Sequence, residues 1–435
     1  MKKSISWMIN VFCLFALIYL SILSWHHLLS TTPTYQNDYA TFYHSLRNDQ
    51  EMYLKFQIPA LPFEIPSKVA APSMINYNTP LMNTILKLLV NMSGKLSINA
   101  LIWTMASILG IGISVFCMCY YVGASYYYFL PSTLIFFLTW ANLNTIFLGQ
   151  VSNFILPILC SAFLLGYHKK WKWMTVTLAL LASLKLFFLI FIVFYIARKE
   201  WTSLFGYIAL FLIFFFMPLL YLPVQNYHDF FMIGLKPIGI FARSTNLENG
   251  SLLGFITKII TFCVKPGVSI NIQPIQYIII GVSSYILFRW ISYYRNIIAK
   301  LKEMEYEVTF CFMITLSLLL SPLTWIYYYV FLLIPATVVL ALSIKHKLNN
   351  SFLLLFSGAL FFYYLVGAGN KILSHFGPFI DLLLWLICLV LMTYTLQTPY
   401  KAKSSSSKVI YGLFIVNAAV TCLFLLFNFG QANFL

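Results

Sequence analysis

The sequence predicts an all-α polytopic membrane protein: a bundle of about 11 transmembrane helices with a re-entrant helical hairpin. Three observations lead there. Of the 435 residues 61% are hydrophobic and only 9% charged, with a mean hydropathy of +0.85, too little polar surface to cover a soluble globule of this length. Apolar runs close to the roughly 20 residues that a bilayer requires recur from end to end. The cations, 27 Lys and Arg against 11 Asp and Glu, fall in short clusters between those runs. The net charge of +16 therefore fits orientation in a membrane, with no single basic face for nucleic acid.

The expected spans lie at 7–29, 97–122, 125–143, 145–166, 203–222, 274–291, 307–321, 328–343, 351–369, 379–397 and 409–429. The first follows Lys2 and Lys3, exceeds a signal h-region and shows no small-residue cleavage site, so it reads as an anchor. The run 173–197 is different. Lys185 sits at its middle, Lys169, Lys170 and Lys172 precede it, and Arg198 and Lys199 follow it. Basic flanks belong on the cytoplasmic side, and a single crossing would strand one of them. A re-entrant hairpin with Lys185 near its tip keeps both inside. A charge at that depth costs at least about 2.5 kcal/mol, which marks it as a candidate functional residue with a partner to find.

The whole chain, 1–435, reads as one integral membrane domain with its N-terminus inside and its C-terminus outside. Two long outer segments result, 30–96 and 223–273, with tight turns at Ser321 to Trp325 and Asn370 to Pro378, and 344–435 forms C-terminal helices. Seven of the eight cysteines fall in apolar spans and Cys263 near a loop, so neither a disulfide framework nor a metal pair is visible.

Candidate chemistry gathers on the outer side. Asp38 opens the first outer segment among Tyr39, Phe42 and Tyr43, a setting that raises a carboxylate pKa and suits a general base. Tyr77-Asn78-Thr79-Pro80-Leu81 leads into a short apolar stretch, Leu81 to Gly94, that reads as an interfacial helix. Gly149-Gln150 stands at the outer end of a span. Arg243, Asn246, Glu248, Asn249, Gly250, Ser251 and Gly254 form a polar cluster in the second outer segment, and Ser321-Pro322-Leu323-Thr324-Trp325-Ile326-Tyr327-Tyr328-Tyr329 brings aromatics able to stack on a sugar. Taken singly, each has a plainer reading: a solvated loop acid, a polar contact between helices, an ordinary turn, the aromatic belt.

Taken in order they form a pattern. Asp38-x4-Tyr43, Tyr77-Asn78-x-Pro80-Leu81, Gly149-Gln150-x2-Asn153, Ala182-Ser183-Leu184-Lys185, Asn249-x-Ser251-Leu252-x-Gly254 and Ser321-Pro322-x-Thr324-Trp325 together resemble glycosyltransferase family 87. These are C-type, polyprenol-phosphate-mannose-dependent mannosyltransferases of bacterial envelopes. The resemblance covers residues 35 to 335. Three departures stand out: Thr79 where the family shows a proline, Gly250 where it has glutamine, and Tyr327 and Tyr328 where histidines are common.

The resemblance implies transfer of a hexose, mannose in the family, from a polyprenyl-phosphate-sugar donor to an envelope lipid or glycan acceptor, by an inverting mechanism on the outer face of the bacterial cytoplasmic membrane. Asp38 would be the base. Lys185, with Arg243, would meet the donor phosphate, and Tyr77, Asn78, Gln150, Asn249, Ser251, Ser321, Trp325 and Tyr328 would hold sugar and lipid head group. One-step inversion needs no second carboxylate as nucleophile. With no Asp-x-Asp pair on the outer side, neither metal nor other cofactor is expected, and the partners are donor, acceptor and membrane lipids, without nucleic acid. Two other classes compete: a lipid-linked sugar transporter or flippase, which predicts an internal repeat that the halves do not show, and a non-catalytic envelope assembly protein.

Overall fold

The computed structural model describes residues 2–32, 38–46, 78–234, 249–263, 304–321, 324–346 and 371–397, with a few single positions between 278 and 301. All regular structure among the described residues is helical. The elements that position the site are α1 (Lys2–Thr31), α2 (Asp38–Ser45), α3 (Pro80–Asn91), α4 (Leu96–Tyr121), α5 (Phe129–Phe137), α6 (Trp140–Phe147), α7 (Ser152–Tyr167), α8 (Trp171–Leu184), α9 (Phe191–Arg198), α10 (Trp201–Phe216), α11 (Gln225–Asp229), α12 (Leu252–Cys263), α13 (Glu305–Leu320), α14 (Leu333–His346) and α15 (Lys371–Gln397).

Four helical stretches among the described residues are long and apolar enough to cross a membrane: Ser4–Thr31, Leu96–Tyr121, Trp201–Leu220 and Tyr327–His346. A bent pair, Tyr126–Phe137 with Ala141–Phe147, brings the number to five if it counts as one span. The expected eleven are not reached among these residues. Spans expected at 351–369 and 409–429, and most of 274–291, lie outside the described residues. The outward side of α1 presents Trp7, Phe12, Phe15 and Tyr19, apolar surface of the kind that a lipid phase accepts.

Two expected boundaries need correction. The spans 125–143 and 145–166 do not run straight, because the chain bends by 72° between α5 and α6 and breaks again between α6 and α7. Thr139 makes the first break tolerable: its hydroxyl caps α6 by accepting from the Asn142 amide at 3.4 Å. The tight turn expected at Asn370 to Pro378 is also absent, since residues 371–378 belong to α15. Leu382, Trp385, Leu389 and Met392 are fully buried at helical spacing, and Phe379 stacks on Phe255 with centroids 3.8 Å apart. Packing along that face outweighs the Gly377-Pro378 signal.

The centre of the bundle is α4 against α7, α7 against α8, and α8 against α10. Gly110 allows the closest approach, for a Cβ there would lie 2.1 Å from the Asn153 carbonyl oxygen. The run 173–197 folds back on itself. Twenty residues of continuous helix would span about 30 Å, yet Thr175 and Tyr195, on α8 and α9, bring their hydroxyls within 2.9 Å. The Arg198 guanidinium lies 4.9 Å from the Trp171 ring centroid and binds Glu200 at 2.8 Å and Glu305 at 3.1 Å. The two ends of the hairpin therefore meet. Near its turn, Tyr207 of α10 donates to the Phe188 carbonyl at 2.9 Å.

That meeting of ends is open to test by cysteine accessibility. In a background lacking the eight native cysteines, single cysteines at Lys170 and Lys199 should respond alike to a membrane-impermeant thiol reagent applied to one side. Labelling of one and protection of the other would mean that the run crosses the membrane.

Candidate functional site

Asp38 begins α2, and what holds α2 in place is aromatic packing. Tyr39 and Phe42 pack on the buried Trp103 of α4, with centroids 4.9 and 5.7 Å away, and the Tyr39 amide donates to the Leu148 carbonyl at 3.0 Å. Leu148 belongs to the break between α6 and α7. Next to it, Gly149 takes the left-handed conformation with φ +67°, and a Cβ there would sit 2.4 Å from Tyr39 Cβ. Only glycine meets both demands. The chain leaves that turn with Gln150 directed at α2, where its Nε2 donates to Asp38 Oδ2.

Lys185 occupies the other half of the site. It ends α8 in an extended conformation, φ −144° and ψ 112°, before the 3₁₀ turn Leu186–Ile190. The residue is 8% exposed. Nζ donates to Asn78 Oδ1 at 2.8 Å and to the Tyr328 hydroxyl at 3.4 Å, and lies 5.5 Å from the Tyr328 ring centroid, within range of a cation–π contact. Asn78 precedes α3. Its neighbour Thr79 caps that helix by accepting from the Met82 amide, with Pro80 in the first turn, and donates to the Ser183 carbonyl at 2.6 Å.

Tyr328 arrives on the 3₁₀ segment Ile326–Leu332, which is held from two sides. Thr145 of α6 donates to the Tyr327 carbonyl at 3.3 Å. Asn249 Oδ1 accepts from the amides of Ser251 at 3.1 Å and Thr324 at 3.0 Å, and the Gly250 amide donates to the Thr324 carbonyl at 2.8 Å. Ser251 Oγ accepts from the Gly254 amide at 3.0 Å and so caps α12. Lys258, buried on α12, donates to the Asn249 carbonyl at 2.9 Å.

Of the residues singled out in the sequence, Asp38 and Gln150 form one pair and Lys185, Asn78 and Tyr328 one triad. Lys185 is close enough to Asp38 to favour its charged form. Enclosure in the protein acts the other way and more strongly, so the half-buried Asp38 carboxyl is raised above the usual carboxylate range, with the Gln150 hydrogen bond and then the Lys185 charge offsetting part of the rise. Trp325, half-buried, stacks nearly parallel to Tyr327 at 6.2 Å, and Ser321 ends α13 with its amide on the Ser317 carbonyl. Asn249 and Ser251 are fully buried with their side-chain oxygens turned to backbone amides. Tyr77 and Arg243 lie outside the described residues. Among the described residues no three His, Cys, Asp or Glu side chains converge as metal ligands would.

Three residues of this framework escape sequence reasoning about the site: Thr79, Thr145 and Lys258. Only Thr79 carries a local signal, a Thr-Pro pair at a helix start.

The model of glycosyltransferase family 87 matches residues 80–322, more than half of the chain. The chain belongs to glycosyltransferase family 87. It is thus a membrane glycosyltransferase, with a sugar donor and an acceptor as substrates. No curated protein and no solved structure matches it. The matched stretch holds Gln150, Lys185, Asn249, Ser251 and Ser321, whereas Asp38, Asn78 and Tyr328 join the site through the contacts above.

Gly149 gives this geometry a direct test. Replacing it with Ala adds a left-handed residue, at about 1–2 kcal/mol, and a clash with Tyr39. Gly123 has nearly the same φ, +66°, with nothing within 4 Å of its Cβ position. Gly149→Ala should lower the melting temperature in detergent more than Gly123→Ala and should reduce sugar transfer, while Gly123→Ala affects stability alone. Equal effects of the two would show that the contact with Tyr39 is unimportant.

Proposed function

We propose that the chain transfers a hexose, mannose on its resemblance, from a polyprenyl-phosphate-sugar to an envelope lipid or glycan acceptor, with inversion, on the extracytoplasmic side of a bacterial cytoplasmic membrane. Asp38 takes the proton of the acceptor hydroxyl as its oxygen attacks the anomeric carbon. The bond from that carbon to the phosphate oxygen breaks on the opposite face. The departing polyprenyl phosphate keeps the electron pair, and Lys185 stabilises its developing charge. On the resemblance, Arg243 shares the donor phosphate and Tyr77 the sugar or lipid head group; Gln150 orients Asp38, and Trp325 and Tyr328 offer faces to the sugar. Asn249 and Ser251 serve by fixing the turn that carries those aromatics.

One observation supports this reading above the others. Asp38 and Lys185 attract each other but bond elsewhere, Asp38 to Gln150 and Lys185 to Asn78 and Tyr328. A base and a cation held close on separate elements, each supported by a neutral partner, suit a reaction that removes a proton on one side of a carbon and expels a phosphate on the other.

Asp38→Asn preserves shape and most hydrogen bonding while removing basicity, so transfer from radiolabelled polyprenyl-phosphate mannose should fall by roughly 10² to 10⁴ with donor binding retained. Lys185→Met should weaken donor binding and turnover together, because the cation faces the phosphate in both ground and transition states. Full transfer by Asp38→Asn would assign the base elsewhere, and a wild-type protein that moves the lipid across vesicles without transferring sugar would be a transporter.

The pH profile follows from the direction of the Asp38 shift. A base must be ionised to act, so activity should rise with pH through a carboxyl pKa above the ordinary range and fall off on the acid side earlier than for an exposed aspartate. A limb that survives in the residual activity of Asp38→Asn would tie it to another group.

A further inference from the structure

We infer that Thr79 is a positioning residue for the Lys185 ammonium, an inference that rests on the reading of Lys185 as the donor-phosphate cation. The last four carbonyls of an α-helix lack intrahelical donors, and α8 ends inside the protein. The Lys185 amide takes the Leu181 carbonyl at 2.9 Å. Those of Ser183 and Leu184, the two residues before Lys185, face the Thr79 hydroxyl at 2.6 and 3.2 Å. The same oxygen accepts from the Met82 amide at 3.3 Å, so one side chain, 2% exposed, closes the end of α8 and the start of α3 together.

The adjacent residue completes the grip. Asn78 receives the ammonium through Oδ1, and its own carbonyl is 3.4 Å from Asn83 Nδ2 one turn into α3. Asn78 and Thr79 thus hold Lys185 at both ends, the ammonium by a carboxamide and the preceding backbone by a hydroxyl. With the hydroxyl gone, two carbonyls in a dry setting seek other donors, and continuing the helix through Lys185 would satisfy them locally. That would turn the lysine from its extended conformation and take Nζ away from Asn78. Thr79 touches neither sugar nor phosphate; it acts through the backbone that aims the cation.

The test is a mutant cycle in the full-length protein, with Thr79→Val, Thr79→Ser, Lys185→Met and the Val/Met double variant. Donor KM and the affinity for citronellyl phosphate, a short polyprenyl-phosphate analogue, are measured beside kcat. Thr79→Val should weaken both donor KM and analogue binding about tenfold, the size of one lost buried hydrogen bond, with the Asp38 acid limb unmoved, and Thr79→Ser should restore them. In the Lys185→Met background Thr79→Val should change either value less than about twofold. An equal effect in both backgrounds, or none in the wild type, overturns the inference. Thermal unfolding without ligand supplies an independent arm: non-additive losses for Thr79→Val and Lys185→Met support the coupling, and additive losses refute it. Wild-type protein that binds no citronellyl phosphate would overturn the phosphate reading itself, and the unfolding cycle then decides the structural coupling alone.

Discussion

An ammonium kept out of water is the demand around which this site is built. Removing such an ion from solvent costs several kcal/mol even after the protein relaxes, and Lys185 has little exposed surface left. Its compensation is assembled from parts far apart in the chain: the Asn78 carboxamide, 107 residues away, and the Tyr328 hydroxyl, 143 residues away. Each partner needs its own support. Asn78 is tied to the start of α3, and Tyr328 to a turn fastened by Thr145, Thr324 and Asn249. The helices around the ion are therefore arranged as much by its solvation as by apolar packing.

The distance kept between Asp38 and Lys185 has a chemical consequence. Joined as an ion pair, the two would cancel: the cation would hold the carboxylate's proton affinity down, and the carboxylate would occupy the cation. Neutral partners leave both charges in place. Gln150 stabilises the ionised carboxylate by a hydrogen bond to Oδ2, and enclosure keeps the group more basic than an exposed aspartate. The aromatic clamp on Tyr39 and the contact at Gly149 matter because they set this pair from the backbone side, through α2 and the turn before α7.

How much of this could be read from sequence depends on how local each cause is. Helical class and membrane character follow from composition, which is additive along the chain. The fold-back of 173–197 has its counterpart in the basic residues at both ends, and Arg198 does lie over Trp171. The bend between α5 and α6 falls at Leu138 and Thr139, where neither glycine nor proline marks it; the break at Gly149 is announced only by the glycine. Asn249 and Ser251 look like sugar ligands in sequence, as polar residues of a loop do, yet burial commits their oxygens to backbone amides. Thr79 shows in the sequence as a Thr-Pro pair at a helix start and as a departure from the family pattern. Its purpose lies with Ser183, 104 residues on, a separation that no local rule spans.

The site also lies where helices stop. Asp38 faces the break between α6 and α7, Lys185 stands in the break after α8, and Tyr328 follows the break after α13. Interrupted backbone inside a membrane protein is tolerable only when protein groups satisfy the freed amides and carbonyls, and each break here has such a group: the Thr145 carbonyl for the Gln150 amide, the Thr79 hydroxyl for the carbonyls at the end of α8, and the Asn249 carboxamide for the Thr324 amide. The interior of a continuous helix has no free main-chain groups and fixes its side-chain directions by its period, which limits how a carboxylate and an ammonium on separate elements can be brought near each other. The breaks supply that freedom, and their caps remove the slack it would bring. Residues such as Thr79 and Asn249 therefore shape the candidate site through the backbone that they fasten.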